Sequence, residues 1–240
     1  MQNIVIAGVS GAIGQSLAEV LGQRPGVRVW GLCRQPERLE HAFAAQGIRW
    51  DALSDASRWQ AGFAEVLPEH LTVDTVIYAA GVLQRDDLVA EKRLEDLTSQ
   101  TMMRAFQINA MAFPLLIKAL SPWLRHRQLK RIVAVSAKVG AIGDNQLGGW
   151  YSYRASKAAL NMLVKNLAVE LPRRYSPVAC VAVHPGTTLS PLSEPFAASL
   201  ARLNPCPAKI TGERLTALLD GLDGQDNGKF LNWDGSQLPW

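Results

Sequence analysis

Ile4-Val5-Ile6-Ala7-Gly8-Val9-Ser10-Gly11-Ala12-Ile13-Gly14 is the stretch on which the fold turns. Its first four residues are an apolar, β-branched run that reads as a strand. From Ile13 to Leu21 the apolar residues recur at helical spacing. Gly8, Gly11 and Gly14 lie between the two. Glycine there permits a tight turn and a close approach of backbone to a pyrophosphate. The orphan N–H groups and the dipole of the following helix then face an anion. Three glycines alone are a weak signal, and a plain turn is the alternative. Between a first strand and a first helix they are specific.

The same alternation continues outward. Strands are expected at Val27–Leu32, up to Trp50, at Val73–Ala79, Arg131–Val135, Ala179–Val183 and Lys229–Trp233. Helices are expected around Glu37–Ala45, Met102–Trp123, Tyr153–Leu171 and Glu213–Leu219. The Pro-rich stretch Pro185–Pro207 reads as a long loop with one helical turn near Phe196–Leu200. Near-continuous apolar strands separated by helices predict an α/β fold, a doubly wound parallel sheet in three layers, with residues 1–240 as one domain.

Of 240 residues, 48% are hydrophobic and 19% charged, which excludes a disordered chain. The net charge of +4 comes from interspersed residues, so no nucleic-acid partner is expected. One cluster, Arg125-His126-Arg127 with Lys130-Arg131, reads as a solvated helix end. The start carries no signal-peptide pattern, and no apolar run reaches the roughly 20 residues of a membrane span. Cys33, Cys180 and Cys206 are odd in number and hold no metal-ligand spacing, and Cys33 and Cys180 read as core residues. A cytoplasmic protein without a metal or membrane partner is the expectation.

The end of the second strand reports on the dinucleotide. An acid there would bind the ribose 2′-hydroxyl of NAD. The residues are Gly31-Leu32-Cys33-Arg34, with no acid before Glu37. Arg34 offers a fork suited to a 2′-phosphate, so NADP is expected, with NAD the alternative. Farther on, Tyr153 and Lys157 stand four apart at the start of a helix, on one face. A phenol titrates near pH 10, and a nearby ammonium favours its ionised form. Such a pair exchanges a proton with a carbonyl or alcohol oxygen.

The chain resembles the short-chain dehydrogenase/reductase family almost end to end. Besides the glycine turn, Asp51-Ala52-Leu53, Tyr78-Ala79-Ala80-Gly81, Asn109, Ser136, Tyr153/Lys157 and Pro185-Gly186 fall in family order. The segment Gly148–Asn161 and the ending from Gly228 to Trp240 are similar to the C-factor-like and sniffer-like carbonyl-reductase branch. The resemblance implies hydride transfer between NADP(H) and a small carbonyl or alcohol. It implies Tyr153 as general acid/base, Lys157 at the nicotinamide ribose and Asn109 holding a relay water, the alternative for Asn109 being a buried helix asparagine bonded to a neighbouring loop. It also implies cofactor contacts from Gly8, Ser10, Gly11, Ile13, Gly14, Arg34, Asp51, Ala52, Leu53, Ala79, Ala80, Gly81, Pro185, Gly186 and Thr188. His184 reads as structural.

Two positions depart from the family pattern. Ala12 stands where the family's glycine loop usually has Gly. Counting back from Gly140, the substrate-binding serine position falls on Ala137, with Ser136 one place earlier. Ser136 is expected to polarise the substrate carbonyl. Leu147, Trp150, Leu192 and Phe196 suggest an apolar substrate pocket. The long central helices are compatible with a homo-oligomer. A dinucleotide-binding regulatory module with little turnover is the competing function.

Overall fold

A computed structural model describes residues 1–39, 45–84, 88–194 and 204–240. The apolar runs become β1 (Gln2–Ala7), β2 (Val27–Cys33), β3 (Ala45–Arg49), β4 (Thr75–Tyr78), β5 (Lys130–Val135) and β6 (Val178–His184). A two-residue pair, β7 (Thr188–Leu189) with β8 (Cys206–Pro207), and a last strand, β9 (Phe230–Asn232), follow. Seven strands form one sheet in the order β3-β2-β1-β4-β5-β6-β9, with every pairing parallel. The chain runs outward from β1 through β2 to β3, then returns to place β4 on the other side of β1. That reversal opens a crevice outside the strands' carboxyl ends. Ala7 is level with Leu32 and Tyr78, Tyr78 with Ala134, and Val135 with Val183, so these ends form one even edge.

Helices cover both faces: α1 (Ala12–Gly22), α2 (Trp59–Ala64), α3 (Ser99–Phe106), α4 (Ala112–Leu120), α5 (Tyr151–Glu170), α6 (Pro172–Tyr175) and α7 (Ala208–Gly221). Side-chain alternation along each strand feeds two cores. Ile4, Ile6, Ile77, Val133, Val135, Val181 and Val183 pack with Leu17 and Leu21 of α1 and Leu215 and Leu219 of α7. Val5, Ala7, Val76, Tyr78, Ile132, Ala134 and Ala182 pack with Phe113, Leu116 and Leu120 of α4 and Leu160 and Val164 of α5. Cys33 and Cys180 are buried, one in each core.

Three local expectations change. The single helix expected over Met102–Trp123 is interrupted by a π-helical turn at Gln107–Met111, and Ser121–Leu124 tightens to 3-10 geometry. The turn is held from outside its own sequence, because the buried Tyr78 hydroxyl donates to the Ile108 carbonyl. Where a helix was expected around Glu37–Ala45, Pro36–Arg38 makes a 3-10 turn and Ala45 already pairs with Val29. Most of the rest of that stretch, and the turn expected near Phe196–Leu200, lie outside the described residues. α2 is too short to show a period in sequence. Finally, the basic cluster is not simply a solvated helix end. Lys130 begins β5, is fully buried and donates to the carbonyls of His126 (2.6 Å) and Ser176 (3.3 Å). Arg131 Nε donates to the Leu222 carbonyl, while Arg125 and Arg127 remain exposed.

Candidate active site

The glycine turn is shaped by close packing. Gly8 has φ +82°, and a methyl added there would meet Ala80 N at 2.6 Å. A methyl on Gly14 would meet the Gly8 carbonyl oxygen at 2.3 Å. Only hydrogen fits at either position, so turn, helix and the end of β4 lie against one another. Gly11 is the N-cap of α1, with no side-chain cap and no acid in the first turn. Its free N–H groups and positive end are therefore open to an anion.

At the end of β2, Arg34 is exposed and makes no hydrogen bond or ion pair that involves its guanidinium among the described residues. Sequence reading passed over its neighbour. Arg49 ends β3 opposite Cys33, donates to the Arg34 carbonyl at 3.1 Å and pairs with Glu37 at 3.1 Å. The first acid after β2 is thus engaged by an arginine. The register of β2 with β3 is the signal that would have brought Arg49 in. Asp51 turns its carboxylate back on its own loop, accepting the Leu53 N–H at 3.0 Å. Leu53 is exposed and Ala52 partly buried.

Beyond Tyr78, the segment Ala79–Gly81 crosses the top of the sheet. A methyl at Gly81 would lie 3.5 Å from both Asn109 Oδ1 and Lys157 Nζ. Asn109 sits in the π turn and is 0% exposed. Its side chain accepts from Val82 N at 2.7 Å and donates to the Val82 carbonyl at 2.8 Å and to Ser156 Oγ at 3.0 Å. Two of the bonds hold the loop at Val82 and the third reaches α5 at Ser156, so the side chain clamps the loop to the helix.

Tyr153 and Lys157 occupy α5, with Lys157 Nζ 5.8 Å from the centre of the Tyr153 ring. Lys157 is 3% exposed and donates to the Val135 carbonyl at 2.8 Å. Burial lowers its pKa to about 8. Burial also raises the Tyr153 phenol, to about 12. The Trp150 ring stands edge-on to that of Tyr153, 6.3 Å between centres.

Ser136 does not open into this crevice. It follows Val135 at the end of β5, so alternation turns it toward α5. There it is 2% exposed and donates to Asn161 Oδ1 at 2.6 Å, one helical turn beyond Lys157. Ala137, extended and only partly buried, takes the next place. His184 accepts the Lys138 N–H at 3.3 Å, and burial together with the Lys138 charge lowers its pKa to about 4, which fits a structural ring. Pro185 is buried, and a methyl added at Gly186 (φ +78°) would meet the Trp233 ring at 3.1 Å. Thr188 is buried and shares its hydroxyl with Thr211 of α7 at 2.8 Å. Leu147 is exposed to solvent, and Phe196 lies outside the described residues.

Residues 2–200 match the short chain dehydrogenase family. The chain belongs to that family. Among other members, the C-signal protein of Myxococcus xanthus is 33% identical over 147 residues, 61% of this chain and 83% of that one. The 1-hydroxy-2-glutathionyl-2-methyl-3-butene dehydrogenase of Rhodococcus sp. (strain AD45) is 28% identical over 244 residues, 100% of both chains. The carbonyl reductase Sniffer of D. melanogaster shares the fold at a TM-score of 0.83, with 23% identity and 100% of both chains covered. An NADPH-bound carbonyl reductase from chicken fatty liver does so at 0.85, again with 23% identity, over 100% of this chain and 94% of that one. As a short chain dehydrogenase, the protein is an oxidoreductase by family. Among the described residues, no helix is long and apolar enough to cross a membrane, and no group of metal-ligating side chains gathers.

Proposed function

We propose that the protein is an NADP(H)-dependent reductase of small carbonyl compounds, with Tyr153 as the proton donor. One observation carries the reading: a phenol that keeps its proton lies beside a buried lysine with no carboxylate partner among the described residues, at the crevice bordered by the glycine turn. The fit to a dinucleotide rests on the glycine cradle and on the uncapped, acid-free N-terminus of α1. Gly8, Ser10, Gly11, Ile13 and Gly14 would hold its pyrophosphate. Arg34, beside an acid already paired with Arg49, would hold a 2′-phosphate, in keeping with NADPH in the chicken carbonyl reductase. When bound, the dinucleotide supplies the hydride.

The residues of this chain do the rest. Tyr153 carries a proton at neutral pH and gives it to a carbonyl oxygen as negative charge develops there. The ammonium of Lys157 favours the phenolate left behind. Its bond to the Val135 carbonyl holds it in place, and Asn109 keeps the loop over it fixed. Ser136, hydrogen-bonded inward, supports α5, so Tyr153 supplies the donor to the substrate oxygen. The exposed Leu147 and the ring of Trp150 suit an apolar substrate.

The inward Ser136 and the alanine beside it also favour the second reading, a dinucleotide-binding module of low turnover. Titration with NADPH and NADH, followed by assay of aldehydes and ketones, separates the two. Expected are tighter NADPH binding, measurable reduction, and loss of about 1,000-fold or more in Tyr153→Phe with binding retained. Tight NADPH binding with no reduction across the panel would establish the module instead.

A further inference from the structure

The first turn of α5, which presents Tyr153, has an unusual start. Gly148, Gly149 and Trp150 are all left-handed, and Trp150, at φ +47°, is a bulky residue in a conformation that costs energy. Trp150 is the N-cap, yet no side chain of its own caps the helix. The cap comes from another part of the chain. Glu91, on the loop that follows β4, is only 2% exposed. Its backbone carbonyl accepts the Trp150 N–H at 2.5 Å. One carboxylate oxygen accepts the Ser152 N–H at 3.3 Å, and the other accepts the Ser152 hydroxyl.

We propose that Glu91 is a positioning residue for the catalytic tyrosine, an inference that rests on the reductase reading. A buried carboxylate is tolerated where it meets helix N–H donors and the positive end of a dipole, and α5 offers both. Its three bonds go to Trp150 and Ser152, on either side of the first helical residue, Tyr151, and hold Trp150 in its strained conformation just ahead of Tyr153. The Trp150 ring in turn stands against the phenol. The same loop is clamped by Asn109 at Val82, close to Gly81 and Lys157. Glu91 therefore ties the acid–base helix to the segment that would line the dinucleotide. A purely local cap from Ser, Thr or Asp at position 150 would not make that link.

The test compares Glu91→Gln, which keeps the shape and removes the charge, with Ser152→Ala, which removes only the hydroxyl. Reduction kinetics, NADPH binding and amide hydrogen exchange are measured on each. In Glu91→Gln, kcat should fall by about 100-fold, as expected for a displaced catalytic group, while KM and NADPH affinity stay within about threefold. Ser152→Ala should lose about tenfold. In both, amides from Ser152 to Ser156 should exchange faster by at least about tenfold, with the β-strands unaffected. Folded variants with unchanged kcat would overturn the assignment. So would parallel loss of NADPH affinity and of protection throughout the sheet, which marks a general structural role. Should the wild-type protein bind NADPH without reducing any carbonyl, the reductase reading fails. The exchange arm then still decides whether Glu91 fixes the helix start, and unchanged exchange refutes it. Where Glu91→Gln does not fold, Ser152→Ala decides on the same criteria.

Discussion

Ala137 and Ser136 differ by one strand position, and alternation turns them to opposite faces: Ser136 is buried against Asn161, while Ala137 is only partly buried. Ser136→Ala should leave kcat within about threefold and cost about 1–2 kcal/mol, because the Asn161 carbonyl loses its donor. Ala137→Ser should raise kcat by about tenfold or more by adding a donor near the developing oxyanion. A Ser136→Ala enzyme as inactive as Tyr153→Phe would refute this arrangement. Titration gives an independent check on the pair in α5. Burial moves Lys157 from 10.5 to about 8, so the folded state disfavours its charge. Its contribution to stability is full above pH 10.5, and disappears as the pH falls through about 8. Tyr153 moves the other way, from 10 to about 12, so its contribution is full below pH 10 and is lost as the pH rises toward 12. Relative to Lys157→Met, the wild-type protein should be less stable at neutral pH, by up to about 3 kcal/mol. The gap should close between pH 8 and 10.5, read by urea unfolding of both proteins across that range. A gap that does not change with pH would show that Lys157 titrates normally.

Among the elements, the π turn at Gln107–Met111 and α5 meet at the proposed site because two side chains, Asn109 and Glu91, pin the loop after β4 to them. Asn109 is the first, and its place in a π turn is significant. A widened turn breaks the helical hydrogen-bond ladder and turns the local side chains to a new direction. Here the Tyr78 hydroxyl takes the Ile108 carbonyl while Asn109 reaches Val82. Asn109→Ala would strand the N–H and carbonyl of Val82 in a buried setting, costing about 2–4 kcal/mol. Because that loop also borders Gly81 and Lys157, NADPH binding should weaken as well. Thermal unfolding and NADPH titration measure the two effects, and unaltered values in both would remove the clamp. The sequence showed the Asn109 residue type and its helix. It did not show the π turn, which depends on a tyrosine 31 positions earlier.

At the scale of the whole molecule, binding at the switch point should stabilise every layer, since the site draws on α1, β1, β2, β4 and α5. A ligand that binds only the folded state at about 100 times its Kd adds about 2.7 kcal/mol. For a chain of this size that corresponds to roughly 5–10 °C in Tm. NADPH should produce the larger shift and NADH a smaller one at equal concentration, and Arg34→Ala should erase the difference. Equal shifts in the wild-type protein would remove the 2′-phosphate assignment from Arg34.

Local periodicity and spacing by themselves determined the strand–helix alternation, the parallel sheet, the glycine turn and the face shared by Tyr153 and Lys157. These are short-range properties, set by side-chain alternation, helical pitch and the stereochemistry of glycine within a few residues. Only the tertiary structure decided which groups meet across long separations: Glu91 with Ser152, Asn109 with Val82, Arg49 with Glu37 beside Arg34, and Ser136 with Asn161. Each is a contact between different elements, set by sheet register and helix packing. No local pattern in the chain encodes where such partners will lie.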